Sequence, residues 1–242
     1  MTLEQLKERY GPEYPTAIVV DGVRLALSQE RRFSRSYDAD DHRISSVVSR
    51  FVDGSASMTY AQLEAEWPAW TEHERLDFCN ACAWLHTQAD FPDMLRFVMT
   101  HGAPREQSAV ALCVASELPQ AEAFDILVRA LHRVGPGDAS NITQAIALTR
   151  HADAESTLRA HLQHVWTHPE LWDDANFVNW LAFDAATCIS YLIALDVPAA
   201  DFEDQVRQLA RHRCAGNRRS CRAVFSKHYR WLAEGEANSD GE

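Results

Sequence analysis

Five polar residues gather around two tryptophans late in the chain. Asp173, Asp174, Asn176, Asn179 and Asp184 surround Trp172 and Trp180. Paired carboxylates can divide acid and base work, one holding a proton while the other takes one. Asp174 also has a simpler role, since it precedes an apolar run and reads as a helix N-cap. Asp184 lies between Phe183 and the largely apolar stretch Ala185–Leu195. A carboxylate there must find hydrogen bonds or a positive partner, and Arg218, Arg219 and Arg222 are the candidates.

A second group is basic. Arg207, Arg211, Arg213, Arg218, Arg219, Arg222, Lys227 and Arg230 follow one another within 24 positions. Phosphate binding requires several such cations on one face, and Asn217 at a helix N-terminus would add oriented N–H groups. Phe225, Tyr229 and Trp231 run through the same segment at a spacing that fits a core stripe. The two groups together supply the binding residues expected here: Asp173, Asp174, Asn179, Trp180, Asp184, Arg207, Arg211, Arg218, Arg219 and Arg222.

Other reactive residue types carry bland readings. Cys79-Asn-Ala-Cys82 has a metal-knuckle spacing, but a structural zinc site needs a second pair nearby. The only other close pair is Cys214 and Cys221, more than 130 positions away. Phe78, Ala81, Ala83 and Trp84 surround the first pair, so it reads as core packing. His161, His164 and His168 share a helical stripe, with Pro169 placing His168 past the helix end. No H-E-x-x-H pattern accompanies them, and they read as a solvated face. Trp67, Trp70 and Trp84 read as a core cluster. The chain has no glycine-rich phosphate loop, no G-x-S-x-G and no dinucleotide fingerprint. No catalytic residue, metal or cofactor is therefore assigned, and a non-enzymatic chain is expected.

These residues need elements to hold them. Residues 1–57 read as a capping segment: a helix over 2–10, a β-hairpin over 17–27 around Asp21-Gly22, a polar loop over 28–41 and a helix from Asp41 to Val52. From 58 to 232 the pattern is helical. Thr59 caps a helix to Trp67, and Thr71 with Glu74 forms a capping box before a helix to Leu85. Further helices are expected from Asp90 to Gly102, Pro104 to Glu117, Pro119 to Gly135, Ser140 to Arg150 and Asp153 to Thr167. Asp174 should cap a long apolar helix, broken near Phe183-Asp184 and ending before Pro198. Residues 199–213 form another helix, and Asn217 caps the last, to Trp231. Residues 233–242 read as a disordered tail.

First helices of successive pairs start near 71, 104, 140 and 174, and second helices near 91, 119, 153 and 199. A helix pair repeated about every 33 to 36 residues is the mark of stacked helical hairpins. One helix of each pair is apolar nearly all round, as in Ala109–Ala115 and Ala185–Leu195, and its partner is one-sided. In this spacing, and in loops such as Leu118-Pro119 and Val197-Pro198, residues 71–231 resemble the HEAT-like α-solenoid superfamily. The resemblance implies an all-α fold and an interaction scaffold, with a minority of nucleic-acid-acting enzymes.

Charge narrows the partner. The net charge is −12. Residues 61–200 carry 7 basic and 19 acidic groups, whereas 201–232 carry 8 basic and 3 acidic. An acidic body repels nucleic acid and attracts basic proteins. The N-terminus has no apolar signal region and no apolar run reaches bilayer length, so a cytoplasmic location without membrane contact is expected, and the cysteines should be reduced thiols. The leading expectation is a protein-binding module with an acidic repeat surface, in its most concrete form an immunity or antitoxin-type inhibitor of a basic toxin. The alternative is a nucleic-acid-acting HEAT-like protein, similar to the superfamily's DNA glycosylases, using the basic C-terminal end with Trp172, Trp180 and Asp184.

Overall fold

Local capping fixes where the first helices start. The Thr59 hydroxyl accepts from the Gln62 N–H while the Gln62 side chain accepts from the Thr59 N–H, closing a capping box ahead of α1, Tyr60–Glu66. Pro68 then permits only a 3-10 turn, Trp67–Ala69, because its ring cannot continue an α-helix. Thr71 and Glu74 repeat the box ahead of α2, Glu72–Ala81. The computed structural model describes residues 18–20, 23–25, 59–82, 89–135, 139–173 and 177–234. The expected helices at 2–10 and 41–52, the loop between them, Trp84 and the tail beyond Glu234 lie outside these residues.

From Thr59 onward the described chain is all-helical. The remaining helices are α3, Phe91–His101; α4, Pro104–Glu117; α5, Gln120–Leu131; α6, Ala139–Thr149; α7, Ala154–Trp166; α8, Trp180–Ala194; α9, Glu203–Ala210; α10, Ala215–Phe225; and α11, Arg230–Glu234. Among the described residues, no helix is long and apolar enough to cross a membrane. Several expected boundaries move. Ser140 is not a cap, because α6 already begins at Ala139. The helix expected from Asp174 begins at Trp180, capped by Asn179, and Asp174 lies outside the described residues. It passes Phe183-Asp184 unbroken, since Phe183 N–H already bonds to the Asn179 carbonyl. The helix expected over 199–213 opens as a 3-10 turn, Ala199–Phe202, before α9.

Packing divides the chain into two compact units, residues 1–130 and 131–242. In the first, α3 packs on α1 and α4, and α4 packs on α2. Its core holds Leu63, Phe78, Phe91, Met94, Leu95, Val98, Val110 and Leu127. Trp67 meets Phe78 and Phe97 edge-on, at 6.1 and 5.7 Å between ring centroids. Trp67 is thus a core residue, as its spacing suggests, and Trp70 lies against it at 5.9 Å. In the second unit α8 is central. It packs on α6, α7, α9, α10 and the 3-10 turn Pro169–Trp172, which is why its sequence is apolar nearly all round. Ile142, Ile146, Leu158, Ala185, Ile189, Leu192, Val206 and Phe225 form the core beside it.

Candidate functional site

The approach to α8 is stitched to the start of α10. The Asn217 carboxamide accepts from Asn179 N–H and donates to the Asn179 carbonyl, each at 2.7 Å. The Asn179 side chain then caps α8 by accepting from Ala182 N–H at 3.0 Å, and donates to the carbonyls of Glu170 and Asp173. Gly216 N–H donates to the Phe177 carbonyl at 3.1 Å. A Cβ on Gly216 would lie 2.7 Å from Val178 Cγ2 and 2.9 Å from the Phe177 carbonyl oxygen, so only glycine lets the two segments approach this closely. Asn217 is therefore not the cap expected of it. It is the third residue of α10, which follows Cys214 and ends at Phe225.

A second set of contacts runs beside the first. His212, 2 % exposed, places Nε2 2.8 Å from the Leu171 carbonyl while Nδ1 accepts from Cys214 N–H at 3.0 Å. Its ring lies on Trp172 at 5.6 Å, and Trp172 meets Trp166 edge-on at 5.5 Å. The contacts of His212 with Leu171 and Trp172 join segments about 40 residues apart, and only the clustering of polar residues around Trp172 and Trp180 hinted at them.

This scaffold leaves two aromatic rings in solvent. Phe177 is 65 % exposed and Trp180 54 % exposed, ahead of Leu148 at 40 % among the large apolar side chains described. Trp180 leans edge-on against the half-buried Phe183, 6.0 Å away. Asp173 and Glu170 are exposed on the same approach. Asp184 does not join them: it is 2 % exposed inside α8, between this site and the core.

The arginines separate into distinct roles. Arg218 Nη1 donates to the carbonyls of His212 and Arg213, at 2.8 and 2.6 Å, closing the loop ahead of α10. Arg219 is exposed on α10. Arg207, Arg211 and Arg222 line one cleft of about 230 Å³ with Ala210, Trp231 and Leu232. Arg207 bonds Glu203 at 2.5 Å and stacks over the Trp231 ring at 4.4 Å. Trp231 sits in α11, because the last long helix ends at Phe225 and a turn intervenes.

The other reactive types are packed away. All six cysteines are buried. Burial, with Cys79 and Cys113 nearby, pushes the Cys82 thiol well up, and burial raises Cys113 to about 12. Such thiols are inert rather than nucleophilic. Of the histidine stripe, His164 is exposed and His168 accepts from Glu170 N–H at 3.3 Å as the cap of the 3-10 turn. His161 departs from the solvated face expected of it: burial, helped by His164 and His132, lowers its pKa to about 4. Among the described residues no three His, Cys, Asp or Glu side chains are grouped to hold a metal. Glu106 and Gln107, 1 % and 2 % exposed, drew no attention in the sequence, yet they tie the start of α4 to the Ala103 N–H and to the Met99 and Gly102 carbonyls. No protein-family model, curated protein or solved structure matches the chain.

Proposed function

We propose that this chain is a non-enzymatic protein-binding module whose contact surface centres on Phe177 and Trp180. The observation that carries the reading is the pairing of two exposed aromatics with a rigid base. Aromatic rings that lose little freedom on binding are the usual anchors of interfaces, and exposing them in a free protein costs hydrophobic stabilisation. Here the Asn179–Asn217 bonds and the Gly216 contact fix the backbone under both rings. Asp173 and Glu170 flank them and residues 61–200 are strongly acidic, which favours a basic partner through complementary potentials. An immunity or antitoxin-type inhibitor of a basic toxin is the concrete form of this reading.

The same reading takes the helices as HEAT-like stacked hairpins capped by the N-terminal hairpin segment. First helices start at 72, 104, 139 and 180, and second helices at 91, 120, 154 and 203, which supports a repeated unit with one longer interval where the 168–179 segment is inserted. The alternative, a nucleic-acid-acting protein similar to HEAT-like DNA glycosylases, draws support from the arginine cleft at the C-terminal end.

The test is a pull-down from nuclease-treated lysate of the encoding organism, comparing the native chain with a Phe177→Ser/Trp180→Ser variant. One stoichiometric basic protein, recovered by the native chain and lost with the variant, is expected. Partners that are equally retained by the variant, or that vanish on nuclease treatment, would refute it.

A further inference from the structure

Three arginines face one cleft in a chain that is otherwise rich in carboxylates. Arg207 comes from α9, Arg211 from the turn after it and Arg222 from α10, while Ala210, Leu232 and the Trp231 ring supply apolar wall. Arg207 is held from two sides, by Glu203 and by the indole beneath it. Arg211 and Arg222 form no ion pair among the described residues. Among the described residues Glu203 is the one carboxylate bonded to the trio, so their charges sum to an excess of positive charge there, although the whole chain carries −12. Like charges gathered around a concave, partly apolar surface repel one another, and the cleft focuses their field. Trp231 adds a donor: its Nε1–H is out of solvent and finds no acceptor among the described residues.

We propose that this cleft binds a phosphate monoester. The inference stands apart from the aromatic surface and does not rest on the protein-binding reading. The chemistry follows from the guanidinium groups. Each presents a planar fork of N–H donors that matches two oxygens of a phosphoryl group. Arg211 and Arg222 are uncommitted, and Arg207 is preorganised by its stack. A terminal phosphoryl group offers three oxygens and close to two charges near neutral pH, enough to engage more than one fork at once. A phosphodiester offers two oxygens and a single charge, so it satisfies fewer forks at once.

Isothermal titration of the full chain at constant ionic strength tests this with two probes, O-phosphotyrosine as the monoester and a single-stranded oligonucleotide as the diester. Saturable binding of the monoester is expected, weakened at least tenfold in both Arg211→Gln and Arg222→Gln. Arg219→Gln, on the same helix but not in the cleft, should bind as the native chain does. Far-ultraviolet circular dichroism checks that the three arginine variants keep their fold. No saturable binding at millimolar monoester would overturn the proposal. So would an equal loss in Arg219→Gln, which would mean unspecific attraction. Oligonucleotide binding without monoester binding would also overturn it and would move the cleft to the nucleic-acid reading.

Discussion

The carboxamide of Asn217 holds both backbone polar groups of Asn179, 38 residues earlier, at 2.7 Å each. The two bonds are not equivalent. The Asn179 carbonyl also accepts from Phe183 N–H in the first turn of α8, so it keeps a partner if Asn217 is lost. Among the described residues the Asn179 N–H has only the Asn217 oxygen. Removing the side chain therefore orphans one donor at a partly buried place, which costs about 1–3 kcal/mol.

That asymmetry gives an ordered prediction. Asn217→Ala should lower unfolding free energy by about 2–3 kcal/mol. Asn217→Asp keeps an acceptor for the Asn179 N–H, but its second oxygen replaces the donor to the Asn179 carbonyl; the helix dipole in the first turn of α10 offsets part of that repulsion, so it should cost less than alanine, about 1–2 kcal/mol. Urea unfolding followed by tryptophan fluorescence measures both. Equal losses in the two variants would show that the donated bond, not the accepted one, matters.

Gly216 poses a contest between two effects. Alanine is the better helix former by about 1 kcal/mol, but the gain is small at the second position of a helix. The added Cβ would lie 2.9 Å from the Phe177 carbonyl, the group that Gly216 N–H bonds, so it cannot retreat without stretching that bond. Gly216→Ala should therefore destabilise by about 1–3 kcal/mol and lower the melting temperature. It should also weaken any partner held through Phe177. An unchanged melting temperature would mean that the segment shifts freely.

The sequence showed these elements unevenly, for physical reasons. Thr59 with Gln62 and Thr71 with Glu74 are legible because a capping box closes within four residues. The start of α8 was misplaced because Asp174 and Asn179 are both good caps, and the choice is made by Asn217, which no local pattern can reveal. The same residue was misread as a cap of its own helix. Asp184 was recognised as a carboxylate in apolar surroundings, but whether it faced a groove depended on the neighbours of α8, and those surround it on several sides. The arginines appeared as one basic end. Only the packing of α9, α10 and α11 separates Arg218, spent on carbonyls, from the three that share a cleft.

His161 makes stability depend on pH. Burial lowers its pKa to about 4 from an ordinary 6.5, so the folded state disfavours the proton that the unfolded chain takes up. The stabilisation from keeping the ring neutral is present above pH 6.5 and is lost as pH falls from 6.5 toward 4. The loss over that window is about 3 kcal/mol, since each pH unit of displacement corresponds to about 1.4 kcal/mol. A His161→Phe variant should flatten the profile there. Urea midpoints at pH 7.5, 6, 5 and 4.5 test it, and parallel curves for native and variant chains would contradict the assignment.

Arg96 offers a case where geometry should outweigh charge. Its guanidinium bonds both Glu122 oxygens, at 2.6 and 3.0 Å, and Asp93 at 2.7 Å, joining α3 to the first turn of α5. The contact holds the Glu122 carboxyl below its ordinary range, so its stabilisation is present above pH 4.5 and is lost as pH falls below that. All three side chains remain partly solvated, which limits the effect to about 1 kcal/mol. Arg96→Lys keeps the charge but not the fork, and should lose most of that. If lysine restores full stability, the contact is Coulombic only.

His212 is held by two backbone groups of opposite sense, and their chemistry fixes its tautomer. Cys214 N–H can only donate, so Nδ1 must offer a lone pair. The Leu171 carbonyl can only accept, so Nε2 must carry the hydrogen. Nitrogen NMR of the imidazole should show one pyridine-like Nδ1 and one pyrrole-like Nε2. His212→Ala leaves both backbone groups unpartnered in a buried place and strips one face of Trp172, and should cost about 2–4 kcal/mol. His212→Phe restores the ring contact but not the bonds. If phenylalanine recovers the stability, stacking on Trp172 holds this corner. If it behaves like alanine, the two hydrogen bonds do, and the loop ahead of α10 depends on them to present Gly216 and Asn217 to the aromatic surface.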